Sequence, residues 1–267
     1  MNNQTVLITG ASTGIGLEFA KIFYSKGYNL VLVSRNEEKL KIVKESLLQG
    51  NVQSINLIPC DLSLGESAQR VHEECISKEL QVQILINNAG FGIYGEHVSL
   101  PISEVENMIS LNVMALTTLC TLFGRDMKKR ESGYILNVAS TGAYQPVPYH
   151  AVYAATKSYV LNFSEALAKE MEEFNVHVTC LSPGATNTDF FLRSGVGNVT
   201  SGWFAMKRRM DASIVAEQGV SALFDHKLST ITGFTNRVSA ISNRFIPRWI
   251  MLSITKFLMR KSGETDL

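Results

Sequence analysis

Tyr153 and Lys157 lie four residues apart in Tyr-Ala-Ala-Thr-Lys, and Ser140 stands thirteen residues upstream at the end of an apolar run. On a helix, positions i and i+4 share a face, so this spacing sets an ammonium beside a phenol. A free tyrosine titrates near ~10. An adjacent cation favours the phenolate and draws that value toward neutrality, where a general acid or base works best. A serine hydroxyl nearby can hydrogen-bond a carbonyl or alcohol oxygen as charge develops on it. The trio reads as a proton-transfer site. Tyr/Lys pairs at this spacing also occur on ordinary solvated helices, so the rest of the chain must decide.

The elements that would position these groups begin at the N-terminus. Gln4 to Thr9 is a short apolar, β-branched run of strand type. It leads into Gly10-Ala11-Ser12-Thr13-Gly14-Ile15-Gly16, and Leu17, Phe19, Ala20, Ile22 and Phe23 continue with helical periodicity. Strand, glycine turn and helix N-terminus together make a cradle for a pyrophosphate. The spacing is G-x-x-x-G-x-G, not the commoner G-x-G-x-x-G.

Further strand-like runs occur at Asn29 to Val33, Ser54 to Pro59, Gln83 to Ile86, Tyr134 to Val138 and Val176 to Leu181. Helical stretches near 36–49, 65–79, 101–130, 151–174 and 212–224 separate them. Such alternation predicts an α/β fold, a doubly wound parallel sheet with helices on both faces. Sites in these sheets lie beyond the carboxyl ends of the strands, where the groups above fall.

Composition agrees. The chain has 267 residues, 45% hydrophobic and 18% charged, enough for a large single core. A net charge of +1 gives no reason to expect nucleic acid. Cys60, Cys75, Cys120 and Cys180 show no metal-ligand spacing, so we expect free thiols in a reducing compartment and no metal. The first strand begins close to Met1 with no basic leader before it. The expected location is cytoplasmic, or peripheral on the cytosolic face of a membrane.

Thr-Gly-x-x-x-Gly-Ile-Gly at Thr9 to Gly16, Asn-Asn-Ala-Gly at Asn87 to Gly90, Asn112, Ser140, Tyr-x-x-x-Lys and Pro183-Gly184 occur in one order along the chain. In these motifs the sequence resembles the short-chain dehydrogenase/reductase family, in its single-domain branch, over roughly residues 4 to 235. The resemblance implies a Rossmann-like, three-layer α/β/α fold and a nicotinamide dinucleotide cofactor. It implies Asn112, Ser140, Tyr153 and Lys157 as the catalytic set, with Asn112 holding a water that links Lys157 to solvent. Gly10, Ser12, Thr13, Gly14, Ile15 and Gly16 would cradle the pyrophosphate. Asp61 would contact the adenine, with Leu62 beside it in the cofactor site, and Asn88, Ala89 and Gly90 would pack beside the adenine ribose. Pro183, Gly184, Thr186 and Thr188 would hold the nicotinamide end, with Tyr153 and Lys157 at its ribose; Thr186 replaces the family's usual valine.

Cofactor choice is read at Val33-Ser34-Arg35, where NAD-preferring relatives usually carry a carboxylate. Ser34 and Arg35 offer a hydroxyl and a guanidinium suited to a 2′-phosphate, so NADP(H) is the expectation. Alternatives stay open: Arg35 opening a solvated loop, Asp61 capping the next segment, Asn112 on a solvated helix face. His150 is read as a surface residue at a helix start.

By resemblance, the segment from Asp189 to about Asp211 covers the substrate, and Thr141 to His150 lines the same pocket. Phe190, Phe191, Leu192, Trp203, Phe204 and Met206 among Gly195, Gly197 and Gly202 suit a mobile lid over an apolar substrate, or ordinary core packing. We divide the chain into a dinucleotide-binding and catalytic domain, 1–235, and a basic amphipathic extension, 236–267. Between Arg237 and Lys261 there are six cations (Arg237, Arg244, Arg248, Lys256, Arg260, Lys261) and no acid. That segment can lie on an anionic membrane, cap the pocket, or pack on another subunit. The expected activity is NADP(H)-dependent interconversion of a carbonyl and a secondary alcohol on a hydrophobic small molecule, such as a steroid or long-chain ketone. The alternatives are a 3-oxoacyl thioester reductase and a non-catalytic NADP(H)-binding protein. The resemblance also implies a homodimer or homotetramer through the helices near 101–130 and 151–174.

Overall fold

A computed structural model of the chain describes residues 4–48, 53–190, 209–243 and 245–259. Seven strands form one parallel sheet: β1 (Thr5–Thr9), β2 (Asn29–Ser34), β3 (Ile55–Pro59), β4 (Val82–Asn87), β5 (Gly133–Val138), β6 (Val176–Ser182) and, after a two-residue pair β7 (Thr186–Asn187) and β8 (Met210–Asp211), β9 (Ser229–Ile231). The order across the sheet is β3-β2-β1-β4-β5-β6-β9. Strand order reverses between β1 and β4, which pair with Ile8 opposite Ile86. A crevice for a ligand opens at such a reversal.

The strands are apolar throughout because both faces are covered. Leu7, Val31, Leu85 and Ile135 point to one core; Ile8, Leu32, Ile86 and Leu136 point to the other, the period-two alternation of a strand. Helices α1 (Gly14–Ser25), α2 (Glu37–Leu47) and α7 (Ala212–Phe224) cover the second face through Phe19, Phe23, Leu40 and Leu223. On the first face lie α3 (Ser67–Ser77), α5 (Leu116–Lys129) and α6 (Ala151–Met171), which bring Val71, Phe123 and Val160. The expected doubly wound α/β/α sandwich is present.

The stretch predicted as one helix over 101–130 is divided. α4 (Ile102–Ile109) and α5 flank a π-turn at Ser110–Ala115, which carries Asn112. π-turns of this kind mark functional sites more often than ordinary helix does. By length and composition Ile102–Lys129 could cross a membrane, but its inner face is packed in the core beside α3 and α6. Two further helices, α8 (Phe234–Ser242) and α9 (Arg248–Met259), follow and line the cavity beyond the carboxyl ends of the strands.

Candidate active site

The glycine turn is shaped by what crowds it. Gly10 adopts φ +65°, and a Cβ there would fall 2.9 Å from the Asn88 amide and 3.0 Å from Ala89 Cα. At Gly16 a Cβ would meet the Gly10 carbonyl oxygen at 2.2 Å, so α1 can begin this close to the turn only on glycine. Thr9 ties the turn to the next motif. Its Oγ1 accepts from Asn88 N at 3.0 Å and Ala89 N at 2.9 Å, while Asn88 Nδ2 donates to the Thr9 carbonyl at 3.0 Å. Thr13, the N-cap of α1, makes no side-chain capping bond, which leaves the first amides of α1 available to an anion.

This cradle forms one end of a cavity of about 800 Å³. Gly10, Ser12, Thr13, Gly14 and Ile15 line it there; Gly16 lies just behind. At the end of β2, Ser34 and Arg35 line the same cavity, with Ser12 Oγ 2.9 Å from Ser34 Oγ. Asp61 and Leu62 follow β3 in the wall. The Asp61 carboxylate accepts from Ser63 N at 3.0 Å and Ser63 Oγ at 2.7 Å. It closes a turn there, while α3 starts later with Glu66 as its N-cap, so Asp61 is not that helix's cap. Asn88, Ala89 and Gly90, and beyond β6 Pro183, Gly184, Thr186 and Thr188, complete the lining.

The proton-transfer residues meet at the other end. Ser140, just past β5, accepts from Gly142 N at 3.1 Å and hydrogen-bonds Tyr153. On α6, Lys157 is 4% exposed and donates to the Val138 carbonyl at 2.8 Å. Its Nζ lies 5.8 Å from the Tyr153 ring centroid. Gly90 seats this group, since a Cβ there would touch Asn112 Oδ1 at 3.0 Å and Lys157 Nζ at 3.3 Å.

Electrostatics depart from the simple expectation for a Tyr/Lys pair. Burial pushes the Tyr153 hydroxyl up to about 12, with the Ser140 hydrogen bond opposing it. Burial likewise lowers Lys157 to about 8. Desolvation outweighs the cation here, with the ammonium hydrogen-bonded to the Val138 carbonyl and 5.8 Å from the Tyr153 ring centroid. A lysine at about 8 still carries its charge mostly at neutral pH.

Asn112 is not on a solvated face. It is 1% exposed, donates to the Phe91 carbonyl at 2.9 Å and Thr156 Oγ1 at 3.1 Å, and accepts from Phe91 N at 3.1 Å. It thus fastens the loop after β4 to α6 beneath Lys157. His150 also departs from expectation. It is 6% exposed and stacks on Tyr153 with ring centroids 4.5 Å apart, and burial lowers its pKa to about 4. The loops after β4 and β5 close over it, which its place at a helix start did not reveal.

Phe190, expected in the lid, packs 5.5 Å from the Tyr153 ring. The remaining apolar residues of the expected lid, Phe191, Leu192, Trp203, Phe204 and Met206, with Gly195, Gly197 and Gly202, lie outside the described residues. Sequence reasoning included Thr9 in the glycine motif without giving it a role, and missed Asn236 as a structural member of the site. Asn236 Nδ2 donates to the Thr232 carbonyl at 2.8 Å and packs on Gly184, where a Cβ would meet it at 2.2 Å. A polar residue opening a helix after a glycine, as in Gly233-Phe234-Thr235-Asn236, was its only signal. From α8 and α9, Ala240, Met251, Ile254 and Leu258 add apolar lining to the same cavity. All four cysteines are free, and among the described residues no cluster of metal-ligating side chains occurs.

The family model for short chain dehydrogenase matches residues 4–195. Very-long-chain 3-oxoacyl-CoA reductase of Pyrenophora tritici-repentis is 35% identical over 68% of this chain and 54% of its own. The chain thus spans about half the length of the fungal reductases it matches. 3-Ketodihydrosphingosine reductase of Bacteroides thetaiotaomicron is 30% identical, covering 75% of this chain and 70% of that protein. Among solved structures, a short-chain dehydrogenase from Sphingobium yanoikuyae in complex with NADPH superposes with TM-score 0.80 at 27% identity, covering 98% of this chain and 99% of that one. Fold and site define a doubly wound α/β protein whose glycine cradle and Ser/Tyr/Lys group share one cavity. The chain belongs to the short-chain dehydrogenase family.

Proposed function

We propose that the protein reduces the carbonyl of an apolar substrate, or oxidises the corresponding secondary alcohol, with NADP(H). The observation that carries this is one cavity joining the cradle at Gly10 and Thr13 to Ser140, Tyr153 and Lys157. A bound nicotinamide dinucleotide supplies or accepts the hydride. Gly10, Ser12, Thr13, Gly14, Ile15 and Gly16 would hold its pyrophosphate; Asp61, Leu62, Asn88, Ala89 and Gly90 its adenosine; Pro183, Gly184, Thr186 and Thr188 its other end. A tight glycine cradle and an uncapped helix start suit an anionic group.

Ser140 fixes the carbonyl oxygen and Tyr153 gives it a proton. Lys157 stabilises the phenolate that remains, and Asn112 keeps Lys157 and the loop after β4 in register. With its hydroxyl at about 12, Tyr153 holds its proton firmly until charge grows on the substrate oxygen. Ser34 and Arg35, with no carboxylate beside them at the end of β2, favour a 2′-phosphate. The test is turnover of NADPH against NADH on a panel of apolar ketones, steroids and 3-oxoacyl thioesters, with Tyr153→Phe alongside. NADH preference would overturn the role of Arg35. Tight dinucleotide binding without turnover would favour a binding protein.

The C-terminal extension supports a second statement. Its described outer face exposes Phe234, Phe245, Trp249 and Phe257 beside Arg237, Arg248 and Lys256. We read this as a peripheral contact with an anionic membrane surface on its cytosolic face. Sedimentation with anionic but not neutral vesicles tests it. Exposed Ile102, Ile109 and Met114 near α4 and Tyr159 on α6 support a homodimer or homotetramer, which light scattering of the purified protein would count.

A further inference from the structure

A second cavity adjoins the first. It is half-open, holds about 600 Å³, and lies between the loop after β5, one face of α6 and the start of α9. Gln145, Val147, Asn243, Ile246 and Met251 border both cavities. At the divide Asn243 Nδ2 donates to Gln145 Oε1 at 2.7 Å. Both partners are neutral and sit outside regular helix and strand, so parting them costs about 1 kcal/mol.

Beyond this latch the lining is mostly apolar, with Ala151, Ala154 and Ala155 from α6, Pro146 and Pro148 from the loop, and Leu252 from α9. Ser158 in the same wall spends its hydroxyl on the Ala143 carbonyl at 2.7 Å. Arg248 at the mouth is the cation of the lining. A surface of this size and chemistry, continuous with a site where a carbonyl is held, suits a hydrocarbon.

We propose that the second chamber receives the unbranched alkyl arm of the substrate, which passes between Gln145 and Asn243 while its carbonyl sits at Ser140 and Tyr153. The proposal rests on the reductase reading above and deepens it, since it names a straight-chain substrate in place of a rigid ring system. Each methylene buried in the chamber is worth about 0.8 kcal/mol, or roughly fourfold.

The test uses the full-length protein and straight-chain methyl ketones of about six to about fourteen carbons, the range over which burial of successive methylenes accumulates. Turnover with NADPH is measured, and binding of the same ketones is measured separately by calorimetry. Ala155→Phe fills the chamber from an exposed position that does not line the catalytic cavity; Ala151→Leu does so on a smaller scale. The expected result is kcat/KM and affinity rising about twofold to fourfold per methylene, with the rise flattened in both variants and the shortest ketone unaffected. A flat profile in the unaltered protein, or a rise that neither variant changes, would overturn the proposal and assign the groove to protein contact. Length-dependent binding that Ala155→Phe abolishes, without turnover of any ketone, would sink the reductase reading and leave the chamber standing.

Discussion

The His150 imidazole lies flat against the Tyr153 ring, centroids 4.5 Å apart and planes 21° from parallel. Buried, with Nε2 unpartnered, it titrates at about 4 against an ordinary value of 6.5. The unfolded chain therefore binds the proton first. The stability that a neutral His150 contributes is complete above about 6.5 and lost as pH falls toward about 4. This contribution amounts to at most about 3 kcal/mol. His150→Phe keeps the stack and should flatten the fall in Tm over that window. An unchanged acid limb would show that His150 is solvated.

Tyr153→Phe removes the proton donor and keeps the ring that packs on His150 and Phe190. Turnover should drop by about 10² to 10⁴, with Tm and dinucleotide affinity little changed. Parallel loss of binding would argue for a structural tyrosine.

Lys157 carries a penalty for burial, since its pKa falls from 10.5 to about 8. Between those values stability rises with pH, because the unfolded chain holds the proton that the folded one gives up. Lys157→Met should abolish turnover yet raise stability at neutral pH by about 1 kcal/mol, the loss of the bond to the Val138 carbonyl offsetting part of the gain. A fall in Tm would show that this bond outweighs the desolvation.

Thr9→Val leaves the Asn88 and Ala89 amides without their shared acceptor. We expect a loss of about 2 kcal/mol of stability and weaker dinucleotide binding, because the turn that crowds Gly10 is released. Denaturant unfolding and calorimetry would check both. Retained affinity would free Thr9 of any positioning role.

Arg35→Ser should weaken NADPH binding by roughly tenfold to a hundredfold, the worth of one charged hydrogen bond, and leave NADH unchanged. Equal losses for both dinucleotides would remove the 2′-phosphate from the argument.

The sheet was legible because its strands are buried on both faces and read as unbroken apolar runs, from Val6-Leu7-Ile8 to Val178-Thr179-Cys180-Leu181. β9, three residues of serine, threonine and isoleucine at a sheet edge, carries no such signal and went unread. The π-turn was hidden for a different reason. One extra residue in a turn leaves the apolar periodicity of 101–130 nearly intact, so only the hydrogen bonds around Asn112 reveal it.

What the sequence by itself determined is which chemistry is present and in what order: a glycine turn after β1, a serine after β5, and a tyrosine and a lysine one helical turn apart on α6. Those follow from backbone sterics and from local spacing, which a linear chain carries in full. Tertiary structure alone decided that His150 lies under Tyr153, that Lys157 turns to Val138, and that the latch between Gln145 and Asn243 parts two cavities. Each depends on segments far apart in the chain excluding water from the same few groups. Desolvation of that kind is a property of the packed whole.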